Sequence, residues 1–157
     1  MMAEHITDHA EVRIPPPVLT FLHILAAFLL DWLIPLPNRS SQSLTWLGIL
    51  LVLIGLMLGF LAVRQFILAH TTLDPHGSVS AIVTEGPYRL SRNPIYLGFV
   101  CMLIGIPLAF GTYWGVILSP LLVMLMNSLV IKYEEAYLEK KFGDQYTSYK
   151  SRVRRWL

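Results

Sequence analysis

Two short polar segments of this 157-residue chain carry side chains able to hold a small charged molecule. The first is Ser91-Arg92-Asn93-Pro94-Ile95-Tyr96-Leu97-Gly98 and the second is Lys132-Tyr133-Glu134-Glu135. Asn-Pro is a helix-start signal: Asn93 is placed to cap backbone donors, and Pro94 sits at the first helical position, where its missing N–H costs nothing. Unpaired N–H groups at such a helix start attract an anion such as a carboxylate. Arg92 can pair with a carboxylate, either a ligand's or that of Glu134 or Glu135. Gly98, one turn on, lets a ligand or a neighbouring helix approach the backbone. Adjacent residues on a helix point about 100° apart, so the two glutamates do different jobs, one facing a ligand and the other a basic partner. Taken singly, the same features have plainer readings: a cap, and carboxylates solvated after a helix.

The elements that must position these groups are set by composition. Residues are 55% hydrophobic and only 14% charged, and the mean hydropathy is +0.58. Soluble domains carry a charge on about a quarter of their residues. This balance argues against a disordered chain, a nucleic-acid-binding domain and an ordinary soluble enzyme, and the apolar residues are blocked into runs that call for lipid. Residues 17–36 and 44–69 form two such runs. From Pro94 to Ile131 the chain is apolar almost without interruption, a length that as one helix would reach about 57 Å, nearly twice a bilayer. It must fold back, with breaks expected at Gly105-Ile106-Pro107 and at Gly111-Thr112-Tyr113-Trp114-Gly115. The expected fold is all-α: one integral membrane domain with four transmembrane helices at about 17–36, 44–69, 94–111 and 114–131. A polar loop at 70–93 and a C-terminal segment at 132–157, read as an amphipathic helix leaving the membrane, complete it.

Charge placement orients that arrangement. With four crossings, Arg13, Arg64, Arg89, Arg92, Lys132, Lys140, Lys141, Lys150, Arg152, Arg154 and Arg155 share one side, and Arg39 alone lies opposite. Under the positive-inside rule that side is the cytoplasm, which holds both termini and both polar segments. An odd number of crossings would split the basic group. The hairpin of helices three and four brings Arg92–Gly98 and Glu134-Glu135 together at the membrane surface.

Other groups point to less. The first fifteen residues lack the basic start and small-residue cleavage site of a secretory signal. Cys101 is the single cysteine and reads as helix packing. His23 reads as a packed or interfacial histidine. Asp31 lies in a span, where an ionisable group suggests function, or snorkels to the outer interface near Pro35. His70, Asp74 and His76 lack a third histidine or a helical register, so no metal site is expected. Tyr146, Tyr149, Arg152, Arg154, Arg155 and Trp156 are read as holding the tail at an anionic membrane surface.

The order Thr84-Glu85-Gly86-Pro87-Tyr88-Arg89, the Ser91–Gly98 segment, an apolar hairpin, Glu134-Glu135 and Phe142-Gly143-Asp144-Gln145-Tyr146-Thr147-Ser148-Tyr149 closely resembles the bacterial members of the isoprenylcysteine carboxyl methyltransferase and phospholipid N-methyltransferase superfamily. The resemblance covers residues 70–155. It implies an integral enzyme of the bacterial inner membrane that uses S-adenosylmethionine, held in a cytoplasm-facing pocket between the last two membrane helices and the C-terminal segment. Carried over by position, Arg92, Asn93, Pro94, Tyr96, Leu97, Gly98, Glu134 and Glu135 form that pocket, with Tyr88 and Tyr146 lining it, and Arg92, Glu134 and Glu135 are candidates for catalysis. Many members have histidine before the proline. Asn93 cannot act as a general base near neutral pH.

The reaction so implied is in-line transfer of a sulfonium methyl to a lipophilic or lipid acceptor, a carboxylate, amine or thiol arriving from the bilayer. Alignment and water exclusion are the protein's part, which at most supplies about 7–11 kcal/mol. No residue is a convincing dedicated base, which favours an acceptor that is already anionic, or proton loss to water. A non-catalytic four-helix scaffold is the alternative. A reductase resembling the sterol reductases ranks last, because the chain lacks their additional helices.

Overall fold

The computed structural model describes residues 12, 14–37, 41–72 and 79–157. Arg13, Arg39, Asp74 and His76 lie outside them. Every regular element among the described residues is helical.

Helix α1, Pro16–Leu33, begins with prolines at the positions that need no N–H donor and stops where Pro35 forces Ile34 into an extended conformation (φ −134°, ψ 77°). Helix α2, Gln42–Leu68, has 27 residues, about 40 Å of helix. It buries only Gly48, Gly55 and Ala62, every seventh residue, so a single narrow stripe meets protein and the other faces are left to apolar side chains such as Leu53, Met57 and Phe60. Helix α3, Pro94–Ala109, answers with Gly98 and Gly105 at the same spacing. The two helices run antiparallel with their backbones in contact: a Cβ on Gly55 would lie 2.7 Å from the Gly98 carbonyl oxygen, and one on Gly105 would lie 2.7 Å from that of Gly48. Small residues on a helix seam permit this approach where lipid supplies no hydrophobic drive between helices.

The chain turns back at residues 110–113, with Gly111 at φ +84°. Of the two breaks expected from the sequence, only the second is a turn. Gly105 serves the α2 seam, and Pro107 stays helical in the last turn of α3. Helix α4, Trp114–Met126, packs against α3 through Gly115, where a Cβ would overlap the Leu103 carbonyl. It then passes without a break through one π-helical turn, Asn127–Ile131, into helix α5, Lys132–Phe142. Leu19, Leu103, Leu122, Met126 and Ile131, from α1, α3, α4 and the π turn, form the buried core.

The C-terminal segment is two helices where the sequence suggested one. Gly143, in the left-handed region at φ +50°, ends α5, and helix α6, Asp144–Arg152, folds back with Tyr146 and Tyr149 buried. Three helices are long and apolar enough to cross a membrane, namely α1, α2 and the continuous Trp114–Phe142. The apolar α3 is shorter, with 16 residues.

Candidate active site

The start of α3 and the start of α5 meet, because the α3–α4 hairpin returns the chain to its point of departure. The Tyr96 hydroxyl donates to Glu134 Oε1 at 2.6 Å. One residue on, and about 100° around the helix, Glu135 turns to two guanidinium groups. Arg92 Nη2 approaches its Oε1 at 3.0 Å. Arg155 binds it bidentately, with Nη2 donating to Oε2 at 2.6 Å and Nε donating to Oε1 at 3.0 Å. The Arg92 and Glu135 side chains are each 9% exposed, and Arg155 is 39% exposed, so the first pair is buried while the third member reaches water. The two glutamates thus divide as adjacent helical positions require, Glu135 to basic partners and Glu134 to Tyr96.

These groups line a half-open cavity of about 150 Å³, part of it continuous with solvent. Phe66 at the end of α2 and Tyr88 in the 3₁₀ turn Gly86–Arg89 form one side, with their rings edge to face at 5.7 Å. Arg92 and Asn93 come from the residues just before α3, Tyr96 from α3, Glu134, Glu135 and Tyr137 from α5, and Tyr146 and Tyr149 from α6. Val79, Ala81, Ile82 and Val83 form a further wall. These apolar residues sit inside a stretch that the sequence marks mainly by its turns and polar groups. Their hydrophobicity was the available signal, too short a run to read as an element. The Val79 N–H donates to the Tyr137 hydroxyl at 3.4 Å, joining this wall to α5.

Burial sets the state of the tyrosines outside the apolar helices. It raises the Tyr149 hydroxyl to about 12 against the opposing pull of Arg92, and it raises Tyr146, with Glu135 adding in the same direction. Burial likewise raises Tyr88, with further contributions from Tyr149 and Glu134. All three are neutral hydroxyls at physiological pH. The bidentate bond to Glu135 raises Arg155 further above its ordinary value, holding its charge.

Of the residues singled out in the sequence, Tyr88, Arg92, Asn93, Tyr96, Glu134, Glu135 and Tyr146 line the cavity; Pro94, Leu97 and Gly98 are not among its lining residues. Gly98 is two residues past Tyr96, about 200° around the helix, and its close approach is to the Gly55 backbone. Pro94 is buried at the first position of α3. Asn93 occupies the N-cap position but makes no capping bond. Its carboxamide Nδ2 instead donates to the Arg155 carbonyl at 2.9 Å. The N-cap side chain thus leaves the start of α3 uncapped, and Ile95 and Tyr96 of its first turn line the cavity.

The tail groups read as membrane anchors are in part internal contacts. Tyr149 donates to the Tyr88 carbonyl at 2.7 Å, and Trp156 Nε1 donates to Asn127 Oδ1 at 3.2 Å in the π turn. Arg152 and Arg154 stay exposed. Arg155, Tyr149 and the 79–83 wall belong to the site although sequence reasoning did not place them there. His23 is buried with Nδ1 bonded to the Leu19 carbonyl at 2.8 Å. Asp31 lies in the last turn of α1. Among the described residues, no three His, Cys, Asp or Glu side chains are grouped to hold a metal ion.

Among the described residues, a fold of helices alone, three of them long and apolar enough to cross a bilayer, with a charged cavity where they end, has the architecture of a membrane protein with a small-molecule site. Residues 43–145 match the phospholipid methyltransferase family, and the chain belongs to it. It is 30% identical over 107 residues to the protein-S-isoprenylcysteine O-methyltransferase of Schizosaccharomyces pombe, covering 61% of this chain and 45% of that protein. To the Saccharomyces cerevisiae protein of the same name it is 31% identical over 118 residues, 74% of this chain and 49% of the other. A probable protein-S-isoprenylcysteine O-methyltransferase of Oryza sativa subsp. indica is 29% identical over 119 residues, 73% of this chain and 61% of that one. The chain therefore spans about half the length of the two yeast relatives. No solved structure matches it.

Proposed function

We propose that this chain is an S-adenosylmethionine-dependent methyltransferase of the membrane, acting on a lipophilic acceptor. The observation that carries the reading is the pairing of Tyr96–Glu134 with Arg92–Glu135 on one side of the cavity, at the end of the apolar hairpin.

The residues present fit a zwitterionic amino-acid cofactor. Arg92, with its Nε buried and without a hydrogen-bond partner, and the uncapped start of α3 suit a carboxylate. Glu134 suits an ammonium or a ribose hydroxyl, and the apolar 79–83 segment with Tyr88 suits a flat ring. When bound, the cofactor supplies an electrophilic methyl group on a sulfonium. The chain's part is to hold polar groups in fixed positions, exclude water with the 79–83 wall, and admit an acceptor from the lipid side. Among the described residues no histidine lines the cavity, and Glu134 is already engaged by Tyr96. With no free base among the described lining residues, an acceptor that arrives as an anion, a carboxylate or a thiolate, is favoured. The relatives are named O-methyltransferases, which agrees with an oxygen acceptor and so with the former.

In this reading all four apolar helices cross the bilayer as a single domain. Helix α3, about 24 Å long, is short for a core of about 30 Å; local thinning and the interfacial Tyr113 and Trp114 at the hairpin tip make up the difference. Both termini and the cavity face the cytoplasm, where Arg64, Arg89, Arg92 and the basic C-terminal residues cluster.

Titration calorimetry of the full chain in detergent tests the first half: saturable binding of S-adenosylmethionine is expected, and no binding by folded protein would remove the reading. Incubation with methyl-labelled cofactor and a membrane lipid extract then identifies the acceptor by its label.

A further inference from the structure

The last five residues, 153–157, run back across the start of α3, and their contacts are too many and too particular for a passive tail. The Arg92 N–H donates to the Arg154 carbonyl at 2.9 Å. The Arg155 carbonyl accepts twice, from Asn93 Nδ2 at 2.9 Å and from Ser91 Oγ at 3.2 Å. Ser91 is buried and the Arg92 side chain is only 9% exposed, and Trp156 anchors the far end on Asn127. The backbone of Arg155 is thus fixed from three sides, and its guanidinium is thereby delivered to Glu135.

The charges explain what that delivery does. Glu135 alone with Arg92 would form a neutral buried pair, its carboxylate consuming the positive charge that a ligand's anionic group needs. With Arg155 in place, two guanidinium groups share one carboxylate, and the cluster keeps one positive charge. Arg92 is the cavity-lining member, and its Nε is the buried donor left without a partner.

We infer that Asn93 and Arg155 are positioning residues for this site: Asn93 latches the C-terminal segment by the Arg155 carbonyl, and Arg155 occupies Glu135 so that Arg92 stays available to an anionic group in the cavity. The inference rests on the cofactor reading for the identity of that group. It also gives the asparagine before Pro94 a task of its own, as a hydrogen-bond donor to the chain terminus.

Two measurements separate the parts. Limited trypsin digestion of the ligand-free full chain in detergent, read by mass spectrometry, reports release of the tail at Arg154 and Arg155. Asn93→Leu, close in shape but without a donor, should speed that cleavage about tenfold, the worth of one buried hydrogen bond, and Asn93→His, which keeps an N–H, should restore protection. Equal cleavage of wild type and Asn93→Leu would overturn the latch. Calorimetry with S-adenosylmethionine should show binding weakened at least about tenfold in Arg155→Ala. Partial recovery is expected in Arg155→Lys, and wild-type affinity in Arg152→Ala, whose side chain is exposed on α6. Wild-type affinity in a folded Arg155→Ala would overturn the positioning role. A wild-type chain that binds no cofactor would overturn the function and Arg155's role together, while the cleavage series still judges the latch alone.

Discussion

Replacing Glu135 by leucine removes the carboxylate that two guanidinium groups share, and the structure says which loss matters. Arg155 is 39% exposed and can turn its charge into water, a loss of the size of a surface pair, about 0–1 kcal/mol. Arg92 is 9% exposed and has no such exit. Leaving a buried charge without its partner costs about 3–5 kcal/mol. For a domain of this size each kcal/mol moves the melting midpoint by about 2–4 °C, so Glu135→Leu should melt about 6–20 °C below wild type. The second variant is the diagnostic one. Arg92→Met combined with Glu135→Leu replaces the buried pair by apolar groups of similar length, which is commonly neutral or stabilising. The double variant should therefore recover most of the lost midpoint while binding no cofactor. Thermal unfolding in detergent followed by circular dichroism, with calorimetry alongside, reads both outcomes. A double variant that melts as low as the single one would refute the argument, because the damage would then not be an unpaired buried charge.

Tyr96→Phe removes the hydroxyl that donates to Glu134 and should cost about 1.5–3 kcal/mol of stability; Glu134→Gln keeps that hydrogen bond, so a small stability change together with weakened cofactor binding by calorimetry is expected from it. Gly98→Ala places a Cβ 2.8 Å from the Gly55 carbonyl oxygen and should destabilise by about 1–3 kcal/mol through forced separation of α2 and α3. Gly59→Ala, with nothing within 4 Å, should instead stabilise by up to about 1 kcal/mol; equal melting of the two glycine variants would contradict the seam. Above pH about 10 an unfolded tyrosine releases its proton, whereas folded Tyr149 keeps it until about 12. Unfolding is therefore favoured as pH rises through that window and the stability contribution is gone above it. Tyrosinate absorbance should report titration delayed beyond pH 10 in the folded chain, and a shallower alkaline loss of stability in Tyr149→Phe.

Local chemistry made the two polar segments legible in the sequence. Asn-Pro before a long apolar run fixes a helix start, and two adjacent glutamates after the returning run must diverge by about 100°, so their meeting and their division of labour follow from helix geometry alone. What escaped is non-local. Nothing in Arg155 says that it is Glu135, twenty residues earlier and outside any periodic pattern, that will claim it; the choice depends on Gly143 turning α6 back, and a lone glycine in a polar stretch does not announce its φ. Asn93 reads as a cap by residue type, and only the arrival of the tail carbonyl redirects its carboxamide. Gly48, Gly55, Gly98 and Gly105 were visible as small residues, yet their register is a property of two helices at once. The 79–83 wall is irregular backbone, held by what it covers rather than by a period of its own.

The α2–α3 seam also determines where the cavity can yield. Contact there is backbone against backbone, so no rotamer change can relax it, and the two helices behave as one stiff slab to which both ends of the segment carrying the 79–83 wall are attached. Across the cavity, α6 and the tail are held by individual hydrogen bonds and ion pairs, most of them from side chains and one from the Arg92 backbone, beyond an exposed Gly143 with open space around it. The backbone-packed side of the cavity and the side held by individual bonds are thus different stretches of chain, the first built by α2 and α3 and the second by the last fifteen residues.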